Sequence, residues 1–230
     1  MTLALPHRDI DARFQEARNL LSFIKSQEST ATPPVDPGHV KTMRGLFYVH
    51  LYGAFERSVN DSVSAFIRAT VDLNVSVQHI TPHFLPVALD GRFKSLQSTQ
   101  GAGNWKKRLE FVAAMIDASA CSINDALFSE HLQNAWPQTL IAVATYLGIG
   151  TPAFEAPDVL AVDEVVDKRN AVAHGRASPA EIGARIRSET LENRFDSTRA
   201  VLSCFTTHLE AGFASLTCVR SEFRALYHAA

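Results

Sequence analysis

The sequence lacks a strong excess of charge of either sign. It carries 22 Lys and Arg residues against 24 Asp and Glu residues, which gives a formal net charge of −2 at pH 7. Proteins that hold nucleic acid mainly by electrostatic attraction carry a pronounced positive excess. The composition therefore excludes that class, and any contact with nucleic acid must be local.

Cysteine and long apolar stretches are also scarce. The three cysteines, Cys121, Cys204 and Cys218, lack the close spacing of zinc ligands or of a redox pair, which favours a reducing compartment. No stretch reaches the roughly 18 consecutive apolar residues that a membrane span requires, and the amino terminus lacks the pattern of a signal peptide. We therefore expect a cytoplasmic protein without a membrane partner.

Several motifs of known chemistry are missing. The sequence has no glycine-rich phosphate loop, no Gly-x-Ser-x-Gly elbow and no cluster of Cys and His, so nucleotide hydrolysis, ester hydrolysis and zinc chemistry lack support. His79 and His83 have the spacing of metal ligands on a helix, but Pro82 disfavours a regular helix there. We interpret that segment as a loop and expect neither a cofactor nor a metal.

Helical periodicity dominates what is present. Apolar residues recur at steps of three and four over long stretches, and the prolines near residues 33–37 separate the first helix from the second. Residues 73–103 lose this pattern, and we expect an irregular connection with a short helix near 87–96. The predicted helices span residues 9–27, 39–72, 104–116, 137–147, about 158–174, and 179 to about 218 with one break.

The predicted fold class is all-α, because no segment alternates with a period of two. Helices joined by short loops indicate an antiparallel helical bundle, with the helix of residues 39–72 at its centre. We assign residues 1–38 to an N-terminal helix and proline-rich linker packed on the bundle, residues 39–218 to the helical domain and residues 219–230 to a C-terminal tail.

A polar cluster lies where the helix of about 158–174 ends. Gly175 suits the left-handed position just past a helix, which places His174 in the last turn. Asn170 and His174 are four residues apart and lie one above the other, while the long side chain of Arg169 reaches toward them from a neighbouring face. Such residues also end ordinary helices by interacting with the helix dipole. The residues alone leave both interpretations open.

The spacing from Arg169 to His174 reproduces the Arg-x4-His signature of the HEPN superfamily, written here as Arg-Asn-Ala-Val-Ala-His and followed by Gly175. Residues 44–56 and 134–148 resemble the corresponding segments of the MAE_28990/MAE_18760-like branch of HEPN proteins. The resemblance covers residues 40–215 and gains specificity from the position of the signature at a helix end.

This resemblance implies a bundle that dimerises so that two copies of the signature face each other in a shared cleft. It also implies a metal-independent endoribonuclease of the toxin or defence-associated kind. The expected partners are RNA, a second copy of the chain, and an antitoxin or another protein encoded in the same operon.

The resemblance assigns a role to each residue of the cluster. His174 would serve as the general base on the ribose 2′-hydroxyl, and Arg169 would stabilise the charge that develops on the phosphate. Asn170 would orient His174 or bind a phosphate oxygen.

Two further groups of residues are candidates. Tyr52 and Glu56 lie on one face of the long helix; either this face is simply solvated, or Glu56 pairs with Arg169 while Tyr52 bonds nearby. Arg176, Arg185 and Arg187 follow the signature and are candidates for RNA phosphate contacts, or for an ordinary solvated surface. The alternative function is a non-catalytic helical module that binds RNA, a nucleotide or a protein partner.

Overall fold

The computed structural model describes residues 2–101 and 103–228. In this part of the chain, sheet structure is limited to two isolated bridges, Ser76 with Ala120 and Ile80 with Val219, and the predicted all-α fold class is confirmed. The helices are α1 (His7–Ser26), α2 (Gly38–Asp72), α3 (Leu85–Ala88), α4 (Asp90–Ser98), α5 (Gly103–Ala114), α6 (Pro137–Tyr146), α7 (Ala156–Ala173), α8 (Pro179–Gly183) and α9 (Ser188–Ala214), with short 3-10 turns at Val77–His79, His131–Asn134 and Ser221–Leu226.

The long helix α2 forms the centre of the bundle, as its apolar pattern predicted. It contacts α1, α7, α8 and α9. Its aromatic side chains, including Phe47, Phe55 and Phe66, are fully buried, and burial of such side chains is the main favourable contribution to folding. Within the described residues, none of the helices combines the length and apolar character of a transmembrane span.

Helix α1 runs antiparallel to α9. His7 near its start lies 2.9 Å from Glu210, whereas Lys25 near its end lies 3.3 Å from Glu192. The side chains of its apolar stripe, among them Phe14 and Ile24, are fully buried against the bundle. The division of the chain at residues 38 and 218 stays a prediction, and residues 229–230 of the proposed tail lie outside the described residues.

The chain between α7 and α9 is held tightly against α2. Ser178 caps α8 through a complete capping box with Glu181, as the sequence predicts. Gly45 in α2 and Gly183 in α8 lie against the backbone of Pro179 and of Lys41, where an added Cβ would collide. Only glycine permits this close approach, which fixes the position of the chain just after the signature.

Residues 73–103 are more ordered than the sequence predicted. The single short helix expected near 87–96 is divided into α3 and α4, because Leu89 adopts non-helical backbone angles between them. His79 stacks on Phe223 with ring centroids 3.9 Å apart, and its Nδ1 lies 2.8 Å from the Tyr227 hydroxyl. In the described chain, no group of three or more His, Cys, Asp or Glu residues has the geometry to hold a metal.

An almost fully buried ion cluster ties α2 to the α1–α2 linker and to α8. The guanidinium of Arg44 donates to Glu28 at 2.7 Å and to Asp36 at 2.6 Å, and it also reaches the carbonyl oxygen of Gly183 at 3.4 Å. Ser188, at the start of α9, donates to Glu28 through both its amide and its hydroxyl, at 2.8 and 2.7 Å. The cluster therefore joins four segments at one end of the bundle.

The two carboxylates of this cluster are ionised. Burial alone would raise the pKa of Glu28, but the hydrogen bonds from Ser188 and the charge of Arg44 hold it below its ordinary value. A hydrogen bond from the amide of Ser29, helped by Arg44, lowers the pKa of Asp36 against the opposing effect of burial. Both groups favour the folded state in their charged form.

Candidate active site

The guanidinium of Arg169 is held between α7 and α2. It stacks over the ring of Tyr52 with its central carbon 4.2 Å from the ring centroid, and its Nη2 lies 3.5 Å from Oε2 of Glu56. Its Nη1 donates a hydrogen bond of 2.8 Å to Oδ1 of Asn170. Three neighbours of different chemistry therefore restrict one long side chain, which reduces the entropy lost when it binds an anion.

Tyr52 is itself fixed. Its ring is buried, and its hydroxyl donates to the carbonyl of Gln133 at 3.1 Å while accepting from the amide of Ala135 at 2.9 Å. Burial raises the pKa of Tyr52 to about 12, so the phenol stays neutral at physiological pH. The residue provides a rigid aromatic surface for Arg169 and anchors the segment before α6.

Glu56 is the only acidic neighbour that forms an ion pair with Arg169 among the described residues. Burial raises the pKa of Glu56, and the charge of Arg169 only partly offsets this effect. Burial therefore makes ionisation of Glu56 less favourable in the folded protein than in the unfolded chain. A carboxyl group placed beside Arg169 in this way is a candidate for a positioning role.

His174 lies at the C-terminal end of α7 with an exposed side chain. Its backbone amide donates to the carbonyl of Asn170 at 3.0 Å, and Gly175 follows in the left-handed region with φ of 66°. Over residues 2–101 and 103–228, its imidazole takes part in no hydrogen bond or ion pair. Both ring nitrogens are open to a ligand.

The expected pairing of Asn170 with His174 is not observed. The amide oxygen of Asn170 accepts from Arg169 instead, because a charged donor on the adjacent residue forms the stronger hydrogen bond. Asn170 therefore belongs to the group that restrains Arg169.

The downstream arginines are placed elsewhere. Arg187 donates to Glu28 at 3.3 Å and to the carbonyl of Ser29 at 3.1 Å. Arg185 lines a surface groove together with Arg187 and Arg44. Both side chains thus lie beside the buried ion cluster and not beside Arg169. Arg176 is exposed in the turn after His174.

A cleft of about 470 Å³ has Glu56, the partner of Arg169, in its lining. Polar residues spaced four apart along one face of α2, from Glu56 through Asn60 to Arg68, line this cleft, and Arg57 lies beside them. Sequence analysis did not identify Arg68 as a candidate site residue, although its spacing of four residues from the other polar residues of this face could have indicated it. Gln133 also lines the cleft, but no local pattern marks it, because the fold brings it to α2 from another segment.

An all-α bundle with Arg169 and His174 at the end of one helix is the arrangement implied by the HEPN resemblance, and the HEPN assignment is confirmed by comparison with known families. The chain belongs to the RiboL-PSP-HEPN family, whose sequence model matches residues 10–211. The match includes most of α1, which lay outside the resemblance or at its edge. The finer likeness to the MAE_28990/MAE_18760-like branch is not confirmed. No curated protein and no solved structure matches the chain. Membership of an HEPN family indicates an RNA-related function.

Proposed function

We propose that this chain is a metal-independent endoribonuclease that cleaves RNA through attack of a ribose 2′-hydroxyl on the adjacent phosphodiester. The observation that carries the proposal is the combination of an exposed imidazole, His174, with a guanidinium, Arg169, that Tyr52, Glu56 and Asn170 restrain. An acid/base group and a preorganised cation are the two components that this reaction requires.

In the proposed reaction, His174 removes the proton from the 2′-hydroxyl, and the resulting oxygen nucleophile forms a bond to phosphorus. Arg169 stabilises the negative charge that develops on the phosphoryl oxygens. The bond from phosphorus to the 5′-oxygen breaks, and that oxygen takes a proton from a general acid. The products are a 2′,3′-cyclic phosphate and a free 5′-hydroxyl.

A second copy of the chain would supply the acid. One imidazole cannot easily act on both the attacking and the leaving oxygen, because these lie on opposite sides of the phosphorus in an in-line displacement. The exposed position of His174 at the end of α7 leaves it open to the same residue of a second copy. A homodimer with a shared cleft is therefore part of the proposal.

The cleft beside Glu56 is the proposed path of the RNA next to the cleavage site. Arg57 and Arg68 can approach phosphates there, while the amides of Asn60 and Gln133 can hydrogen-bond to base edges. These groups replace Arg185 and Arg187 as the candidate RNA contacts. A path with few cations agrees with the low net charge of the chain.

The biological role that we infer is that of a toxin or defence-associated nuclease, with an antitoxin or an operon-encoded protein as its regulator. This inference depends on the HEPN assignment. The alternative is a non-catalytic module that binds RNA, a nucleotide or a protein partner, and the near-neutral net charge of the chain favours this second function.

Cleavage in the absence of divalent metal tests the proposal. The purified protein is incubated with an end-labelled RNA pool in EDTA, and the termini of the products are identified. We expect cyclic phosphates and 5′-hydroxyls, with DNA of the same sequence left intact because it lacks the nucleophile. Products with a 5′-phosphate, or a strict need for added metal, would contradict the mechanism. Binding without any cleavage would support the module.

The variant Glu56→Gln is expected to lower the cleavage rate by about 10- to 100-fold, because a guanidinium that is no longer held in place aligns poorly with the phosphate. Stability at pH 7 should be unchanged or higher, since the substitution removes a carboxylate whose ionisation burial disfavours. Single-turnover cleavage and thermal unfolding of the same preparations measure the two effects.

Glu164→Gln provides the matched control. Glu164 lies on α7, the helix of Arg169, and pairs with Arg194 at 2.6 Å, with exposure similar to that of the Glu56–Arg169 pair, but it does not bond Arg169. We expect this variant to cleave RNA at the wild-type rate. Full activity of Glu56→Gln would remove Glu56 from the site, and equal losses in both variants would indicate a general effect on the bundle.

A further inference from the structure

Helix α5 exposes a continuous apolar stripe. Trp105 is 74% exposed, Leu109 71% and Val112 59%, and Ile116 in the turn just after the helix is 76% exposed. Steps of four, three and four residues place these side chains on one line, with the spacing of a coiled-coil seam. Monomeric proteins rarely leave such a contiguous patch uncovered.

The hairpin of α4 and α5 is weakly anchored to the bundle. No residue of α4 is buried, and Ala114 is the one buried residue of α5 among those described. The two helices are held together by the rings of Phe93 and Phe111, whose centroids lie 4.4 Å apart. Because isolated helices of this length are marginal in water, a second surface against α5 would add much of its stability.

The two ends of the stripe carry opposite charges. Lys106 and Arg108 flank it at the start of α5, where the guanidinium of Arg108 lies 4.8 Å from the Trp105 ring centroid. At the other end, Asp117 follows Ile116 and accepts a hydrogen bond of 2.9 Å from the amide of Ser119. The C-terminal end of the helix dipole adds negative partial charge there.

We propose that α5 pairs in antiparallel orientation with α5 of a second copy of this chain. The steps of four, three and four residues are the same from either end of the stripe. In an antiparallel pair, Trp105 of each copy therefore contacts Ile116 of the other copy, and Leu109 contacts Val112. The same orientation places Lys106 and Arg108 of each copy next to Asp117 of the other. A parallel pair would instead bring the two basic ends together.

The expected interface is small. The four side chains of each copy would bury about 1,000 Å² in total, near the lower limit for specific association. The pairing is therefore expected to depend on concentration. It is a different surface from the site at Arg169, because α5 contacts α4 and the segment after it pairs with Ser76, whereas Arg169 contacts Tyr52, Glu56 and Asn170.

A second copy fits the charges better than other occupants. A basic helix with an apolar face also suits an anionic lipid surface, and an acidic partner helix would match Lys106 and Arg108. Neither explains the acidic end at Asp117, which an anionic partner would repel. Self-pairing satisfies both ends with charges present in this chain.

The first test compares Leu109→Glu with wild type by sedimentation equilibrium over a range of concentrations. We expect the variant to weaken self-association by about a hundredfold, since two glutamates replace two buried leucines at the centre of the seam. Leu160→Glu is the matched control, because Leu160 is 70% exposed on a different helix, α7, and it should behave as wild type. Equal masses for wild type and Leu109→Glu at all concentrations would overturn the proposal.

Charge reversal distinguishes self-pairing from the other occupants. Lys106→Glu should weaken association, and adding Asp117→Lys to the same chain should restore it, because the pair then has the opposite charges at both ends. Failure of the double variant to recover would argue against antiparallel pairing. If the protein sediments with phosphatidylserine vesicles but its mass in solution does not rise with concentration, the stripe binds lipid and not a second copy. The readout is mass, so the outcome does not depend on RNA cleavage.

Discussion

Replacing His174 with alanine is expected to lower the rate of RNA cleavage by about 10²- to 10⁴-fold, the usual contribution of a general acid or base. The loss should fall on the chemical step and leave RNA binding nearly unchanged, because the proposed binding groups lie on α2 and at Gln133 and do not include His174. Single-turnover cleavage of an end-labelled RNA in EDTA, with binding measured separately by filter retention, separates the two quantities.

The stability of the His174→Ala variant should match that of wild type, since the imidazole is exposed and makes no hydrogen bond within the described chain. His83→Ala is the control, because His83 is also exposed but lies far along the sequence from the signature. It should cleave normally. Cleavage by His174→Ala at the wild-type rate would indicate a contaminating nuclease or a different site, and the proposed function would be withdrawn.

Arg169→Ala should cause a comparable loss, and the double variant with His174→Ala should lose little more than either single one. Groups that act together in one transition state give strongly non-additive losses. If the fold-loss in cleavage rate of the double variant equalled the product of the two single losses, Arg169 and His174 would act independently of each other.

The helices that carry the site were predictable because their signals are local. The apolar period of α2, the left-handed Gly175 and the capping box at Ser178 each depend on neighbouring residues, and all appear in the structure. The division of residues 73–103 into α3 and α4 was not predictable, because these short helices depend on contacts with the rest of the bundle rather than on intrinsic propensity.

The contacts within the site were less predictable than its location. The sequence does not show whether the Arg169 side chain bonds its neighbour Asn170, bonds Glu56 on another helix or extends into solvent. The packing of α7 on α2 determines which of these contacts form. The hydrogen bonds of Tyr52 to the segment of Gln133 join residues about eighty positions apart. Sequence spacing along one helix carries no information on such contacts.

Buried charge was missed entirely. Arg44 lies among the apolar residues of α2, and arginine is almost never fully buried unless paired. Its partners Glu28 and Asp36 lie in the linker, where most of the residues around them in the sequence are exposed. The periodicity of apolar residues predicts which face of a helix is buried. It does not predict that Arg44 on that face pairs with the carboxylates of Glu28 and Asp36.

Replacing Arg44 with methionine is expected to lower the free energy of unfolding by about 3–5 kcal/mol, the usual cost of removing one partner from a buried ion cluster. Glu28 and Asp36 would remain almost fully buried without their counter-ion. Such a loss is a large fraction of the stability of a typical domain. Urea unfolding at pH 7 measures it.

The loss should shrink in acid. The pKa values of Glu28 and Asp36 are lowered in the folded state, so their contribution is present above their unfolded values, near 4, and is lost as pH falls through the lower folded values. Wild type and Arg44→Met should therefore approach each other in stability below about pH 4. A difference that stayed constant with pH would assign the effect to lost packing.

Arg68→Met is the control on the same helix. Arg68 pairs with Asp125 at 2.9 Å, but both side chains are exposed, and pairs of this kind contribute about 1 kcal/mol or less. Combining Arg44→Met with Glu28→Gln and Asp36→Asn should recover part of the lost stability, because the carboxyl charges left unpaired are then removed. If the triple variant were no more stable than Arg44→Met, unpaired charge would not be the cause, and the shape of the arginine side chain would account for its place in α2.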